Sequence, residues 1–263
     1  MPVISVAIQK GGSGKTTTAI NLAAALNLEG RKILLIDADP QANLSQSLGL
    51  PEEPERNLFT ELSKEISGDG NNLRDVIVHT SSGLDVIPAS IELAGAELEL
   101  VSVYGREQIF TWMLEGLKNE YDFIFIDCPP AIGLLTVNAL VASDYVLMPL
   151  QAEFLPLKGV HSFIYHFKAI QKLNKNLEIL GFVLTQYDDR KIMNRQTYQE
   201  LENEFGEKAF QTHIRNNIQL ANAQKVGLDI FSHDKHCHGA EDYRRLAVEF
   251  QEKLKIGMSA SHT

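Results

Sequence analysis

Apolar residues gather along this chain in short runs: Val3–Ile8, Lys32–Asp37, Leu84–Pro88, Asp122–Asp127, Tyr145–Leu150 and Leu177–Thr185. The runs are rich in Val, Ile, Leu and Phe and lack the in–out alternation of a half-solvated strand. All six are therefore expected as strands buried on both faces. Between them, positions 15–29, 92–103, 105–120, 134–142, 158–173, 193–205 and 240–255 repeat their apolar residues with helical spacing. Gly30 stands where a helix C-terminal glycine belongs. Strands alternating with helices predict an α/β fold, a mostly parallel twisted sheet with helices on both faces. PEEPERN (51–57) and SGDGNN (67–72) read as irregular and are too short to link domains. One domain over 1–255 is expected, followed by a small, polar tail at 256–263 that should be flexible.

Composition narrows the class. With 263 residues, 44% hydrophobic and 22% charged, the chain can bury a sizeable core, which excludes disordered and fibrous classes. It has no apolar run of about 18 residues for a membrane span. Its start, MPVISVAIQKGG, lacks the pattern of a secretory signal. Two cysteines, Cys128 and Cys237, cannot build a disulfide framework and fit a reducing cytoplasm. The net charge of −10 lies wholly in residues 1–130, which hold 9 Lys+Arg against 19 Asp+Glu. Within 158–195, seven basic residues, Arg190, Lys191 and Arg195 among them, face three acidic ones. That local excess keeps nucleic acid open as a partner, although such patches are commonly solvated helix faces.

The chemistry is concentrated at Gln9-Lys10-Gly11-Gly12-Ser13-Gly14-Lys15-Thr16-Thr17, between the first strand and the first helix. This is the setting of a P-loop. Glycines at 11, 12 and 14 let backbone N–H groups converge on phosphate oxygens, and the helix adds its N-terminal dipole. Lys15 is expected at the β- and γ-phosphates and the Thr16 hydroxyl on Mg²⁺. The standard pattern wants glycine at position 9, where this chain has Gln9, and it carries a second lysine, Lys10. A lysine so early in the loop cannot easily bend onto its own nucleotide but could reach one held by a facing subunit. The second strand ends in Asp37-Ala38-Asp39-Pro40, and Phe123–Ile126 is apolar until Asp127, as a Walker-B strand is. Asp127 is expected to hold Mg²⁺ directly or through water, and Asp39 to orient or deprotonate the attacking water. Taken alone, Asp39 would read as an Asp-Pro turn former.

With these motifs in view, the chain resembles the ParA/MinD group of deviant Walker-A P-loop ATPases, most closely short partitioning proteins of the Soj type. The resemblance is carried by KGGSGKTTT (10–18), NLAAAL (21–26), LLIDADPQAN (34–43), FIFIDCPP (123–130), VLTQYDDR (183–190) and GAEDYRRLA (239–247). It implies ATP and Mg²⁺ as cofactors, and a homodimer that sandwiches ATP with Lys10 crossing between subunits. It also implies weak ATPase activity stimulated by a ParB-like partner, non-specific double-stranded DNA binding by the ATP dimer, and a cytoplasmic, nucleoid-associated location without membrane attachment. A first strand beginning at Pro2–Val3 leaves no room for the N-terminal helix-turn-helix of larger plasmid relatives, so operator binding is not expected.

Residue by residue, Arg190 falls where Soj-like proteins have an arginine implicated in DNA contact, and Lys191 and Arg195 lie beside it. A later basic segment of the family reads here Arg215-Asn216-Asn217-Ile218-Gln219-Leu220. Arg215 replaces a proline of that segment, basic groups are lost at Asn216 and Gln219, and Asn217 matches a position near the adenine. The alternatives are a positioning ATPase of the same family for another cargo, such as a protein compartment or chemoreceptor cluster, and a metabolic ATP-dependent synthetase of the same fold. Other signals read as structural. His236-Cys237-His238 lacks metal-ligand spacing, Cys128 is expected as a small buried apolar residue, and Trp112, Phe163, Phe167 and the helix at 240–255 are expected to pack in the core.

Overall fold

The computed structural model describes residues 1–117, 119–152 and 156–260. The six expected strands form, with a seventh. They are β1 (Val3–Val6), β2 (Ile33–Asp37), β3 (Val78–His79), β4 (Asp85–Ile87), β5 (Phe123–Asp127), β6 (Tyr145–Gln151) and β7 (Glu178–Thr185). Their order across the sheet is β3-β4-β2-β5-β1-β6-β7, and every neighbouring pair is parallel except β3 with β4. Asp127 is level with both Val6 and Asp37 in the strand register, so β1, β2 and β5 end together at the carboxyl edge. In an open α/β sheet that edge is where ligands bind.

Two apolar layers cover the sheet. On one face Leu34, Ile36, Ile124, Ile126 and Met148 pack against α3 (Leu58–Ser67), α4 (Leu93–Leu100), α5 (Ile109–Glu115), α6 (Leu134–Val141), α7 (Pro156–Ile170) and α8 (Ile192–Phe205). On the other, Ile4, Val6, Leu35, Phe125 and Leu147 meet α1 (Lys15–Leu28), α2 (Asn43–Ser47), α9 (Ile218–Lys225), α10 (Ile230–Asp234) and α11 (His238–Ala260). This is why the strand runs do not alternate: both sides of each are buried. Gly30 adopts φ 85, and Arg31 N–H reaches back to Leu26 O, which closes the C-terminus of α1 as expected.

Several readings need correction. The helix expected over 105–120 contracts to α5, and Trp112 on it is 40% exposed, its ring lying against Gly105 rather than in the core. Phe163 and Phe167 are buried, as are Cys128 and the Tyr243, Leu246, Phe250 and Leu254 stripe of α11. That last helix continues beyond Lys255 to Ala260, where a loose tail was expected to have begun; positions 261–263 lie outside the described residues. Between the two stretches read as irregular lies α3. Asn57 caps it, accepting from Thr60 N–H while the Thr60 hydroxyl accepts from Asn57 N–H.

Candidate functional site

β1 leads into the glycine loop, and the loop into α1, which no side chain caps. The first N–H groups of that 14-residue helix are therefore open to an anion. Gly12 and Gly14 lie at φ 70 and 88, where a side chain would be strained, and a Cβ on Gly14 would press on Thr185 at 3.3 Å. Gly11 has neither constraint, so the protein alone does not require glycine there. The end of β7 braces the loop: Thr185 Oγ1 donates to Ser13 O at 2.8 Å, and Gln186 Nε2 donates to Gly12 O at 3.3 Å. Lys15 is buried, with its ammonium donating to Lys10 O at 3.0 Å, while the Lys10 side chain is half-exposed on the loop's rim.

Facing the loop, Thr16 Oγ1 donates to Asp127 Oδ2 at 2.6 Å. The other carboxylate oxygen, Asp127 Oδ1, is buried with no hydrogen-bond partner, as is Ser13 Oγ. Burial lifts Asp127 well above the usual carboxylate range. The negative charge of Asp37 adds to the shift, and the Thr16 hydrogen bond and Lys15 oppose it. Asp37 is likewise fully buried, and burial pushes it up to about 7 against hydrogen bonds from Ser45 and the Asp39 backbone. Asp39 is buried beside them. Its Oδ1 accepts from Gln41 N–H at 3.0 Å and its carbonyl from Ala42 N–H at 2.8 Å. The residue thus does form a turn, while its carboxylate stays within electrostatic range of Asp127. A lone buried carboxylate oxygen beside a hydroxyl suits a hard divalent cation, which prefers oxygen ligands.

Next to the loop is a cavity of about 300 Å³ lined by Gly14, Thr17, Gln186, Asn217, Gln224 and Tyr243, among others. Asn217 lines it, and its side chain caps α9 by accepting from Gln219 N–H at 2.9 Å. Thr17 Oγ1 accepts from Gln224 Nε2 at 3.0 Å, which ties the loop to α9. Ser45 and Gln224 lie outside every quoted motif and carry no signal, while Tyr243, inside GAEDYRRLA, is expected only as a core residue of its helix. Thr185 and Gln186 lay inside a quoted motif but had been assigned no role.

The basic residues are spread apart. The Arg190 side chain is 89% exposed and bidentate on Asp188, whose carboxyl it holds down at about 2. Lys191 and Arg195 are exposed beside it at the start of α8, with an Arg195 guanidinium nitrogen donating to Asp189 O at 2.5 Å. Arg215, expected with them, is instead tied down. Its guanidinium bonds to Asp242 at 2.6 Å and Glu241 at 2.8 Å, so its charge is neutralised within the fold. Among the described residues, no group of His, Cys, Asp and Glu of metal-binding size forms, and no helix is long and apolar enough to cross a membrane.

A mostly parallel sheet with a glycine phosphate loop after its first strand and an acidic strand end facing it defines a P-loop NTPase. Comparison with known proteins makes the class specific. The profile described as AAA domain matches residues 1–179. Over 249 residues the chain is 42% identical to the sporulation initiation inhibitor protein Soj of Bacillus subtilis, covering 94% of this chain and 97% of that protein. It is 43% identical over 243 residues to the chromosome-partitioning ATPase Soj of Treponema pallidum, covering 92% and 93%. Among solved structures it matches a cobyrinic acid a,c-diamide synthase from Mycobacterium smegmatis with bound ADP and magnesium. The TM-score there is 0.84 and the identity 33%, with 98% and 96% covered. The chain belongs to the ParA/MinD family and is a ParA-like ATPase of the chromosome-partitioning type.

Proposed function

We propose that this chain is an ATP-driven partitioning switch: two copies close around ATP and Mg²⁺, and the dimer holds double-stranded DNA without sequence preference. A ParB-like partner then stimulates slow hydrolysis. ATP and Mg²⁺ suit the site because the uncapped α1 N-terminus and Lys15 favour phosphate, while Asp127 Oδ1 and the Thr16 hydroxyl offer oxygen to a cation. When bound, the cation would neutralise charge on the β- and γ-phosphates. The chain's residues then divide the work. Gly11, Gly12, Ser13, Gly14 and Thr17 offer backbone N–H groups to phosphate, Lys15 supplies charge, Asp39 orients water, and Asn217 borders the nucleoside. Arg190, Lys191 and Arg195 form the DNA-facing set, to which Arg215 contributes less because Asp242 and Glu241 already hold it. A nucleoid-associated location would follow from DNA binding.

One observation carries the reading. Lys15 already fills the inside of its own loop, its ammonium on Lys10 O, while Lys10 stands on the rim that a facing copy would meet. The diamide synthase likeness keeps a synthetase as the second reading, but a synthetase has no use for a lysine acting across subunits. In light scattering, a non-hydrolysable ATP analogue should double the apparent mass and ADP should not. Lys10→Ala should abolish the dimer while calorimetry shows ATP still bound. A Lys10→Ala protein that dimerises normally would remove the sandwich.

A further inference from the structure

We propose that Asp37 and Ser45 are positioning residues for hydrolysis, a buried latch that fixes where the Asp39 carboxylate sits. The inference rests on reading Asp39 as the group that orients the attacking water. Asp37 uses both its oxygens. Oδ1 accepts from Asp39 N–H at 3.2 Å, while Oδ2 accepts from Ser45 N–H at 2.9 Å and from the Ser45 hydroxyl at 2.7 Å. The Ser45 hydroxyl in turn accepts from Ala89 N–H at 3.1 Å, just beyond β4. One carboxylate thus joins the end of β2, the turn carrying Asp39, the short helix α2 and the neighbouring strand's exit.

The cost of this arrangement is what points to a function. Asp37 and Ser45 are wholly inaccessible to solvent. Among the described residues, the hydrogen-bond donors to Asp37 are neutral groups of its own segment. A buried carboxylate compensated only by neutral donors is expensive, and a shorter polar or apolar side chain would pack there more cheaply. The segment it holds is also strained, for Ala42 adopts φ 51, which alanine disfavours. The far side of α2 is fixed as well. Gly49 and Gly227 pack backbone to backbone, so closely that a Cβ on Gly227 would lie 2.8 Å from Gly49 Cα. Clamped at Ser45 and at Gly49, α2 leaves the Asp39 turn little freedom. Such restraint matters for chemistry, because a small misplacement of a catalytic group can cost orders of magnitude in rate.

The test is ATP turnover with ATP binding measured in parallel, for the intact protein and Asp39→Ala, Ser45→Ala, Ser45→Cys and Asp37→Asn. Ser45→Ala removes one hydroxyl from a helix that alanine favours, so the variant should fold. It should lower kcat about tenfold and leave KM and ATP affinity unchanged. Ser45→Cys should fall between, since a thiol is a weak donor. Asp37→Asn should slow turnover too, because its amide N–H₂ must face a donor on one side. Wild-type kcat in both Ser45→Ala and Asp37→Asn would overturn the latch, as would a loss confined to KM. If Asp39→Ala hydrolyses ATP normally, the reading of Asp39 fails and takes the latch with it. If Asp39→Ala is inactive while Ser45→Ala and Asp37→Asn both turn over at the parent's rate, the latch alone fails.

Discussion

Asp37, Asp39 and Asp127 crowd the ends of β2 and β5, with Lys15 the cation that acts on Asp127 from the glycine loop. Burial disfavours the charged form and the neighbouring carboxylates add to that, so Asp37 and Asp127 hold their protons above the ordinary carboxylate range. Asp37 binds its proton in the folded chain up to about pH 7 but in the unfolded chain only to near its ordinary value of 3.8. A folded-state pKa raised in this way favours the folded form most at low pH, and that contribution is lost as pH rises through the window between the two values. Asparagine cannot ionise and escapes the loss. Without nucleotide, the thermal stability of Asp37→Asn relative to the parent should therefore improve from about pH 4 to about pH 7 and level off above. A difference that stays flat across that range, measured by melting in matched buffers, would mean that burial does not perturb Asp37.

At the scale of elements, side-chain caps mark where α3, α9 and α10 begin. Asn57 and Thr60 satisfy each other's N–H groups at the start of α3, far in function from the glycine loop. Asn57→Ala should cost about 1 kcal/mol of stability, seen as a lower urea midpoint at unchanged slope, with ATP affinity untouched. α3 also shows where the sequence stops being readable. Strands β1, β2, β4, β5, β6 and β7 were legible because double burial leaves an unbroken apolar run, and the glycine loop because φ near 70 and 88 at Gly12 and Gly14 admits little else. β3 escaped notice because two residues on an edge, Val78 and His79, make no pattern. α2 and α10, five residues each, complete barely one turn and carry no period. Trp112 misled for a physical reason: an aromatic ring can cover a glycine at the surface and need not enter the core. At the site, Lys15, Thr16 and Asp127 came from motifs, whereas Ser45 acts through a local contact with Asp37 and Gln224 through one between distant segments, and neither leaves a motif.

For the whole molecule, the acidic balance means that the proposed DNA binding would depend on the proposed assembly. In a chain of net charge −10, Arg190, Lys191 and Arg195 are exposed side by side, with Arg190 shared with Asp188, so one copy would offer few phosphate contacts and a dimer twice as many. Since affinity scales steeply with the number of phosphates neutralised, doubling the patch can turn weak contact into lasting attachment. Hydrolysis would then set how long attachment lasts. Asp39→Ala should retain ATP and cation binding, because Lys15, Thr16 and Asp127 remain, and lose only the ordering of water, which matters to the transition state more than to the ground state. The variant should therefore persist with ordinary ATP as a dimer in gel filtration, release little phosphate, and stay on DNA at low salt while leaving it as salt rises. A synthetase deprived of a catalytic carboxylate would lose turnover with no change in its oligomeric state. An Asp39→Ala protein that remains monomeric with ATP, or releases phosphate at the parent's rate, would show that another carboxylate does the work assigned to Asp39.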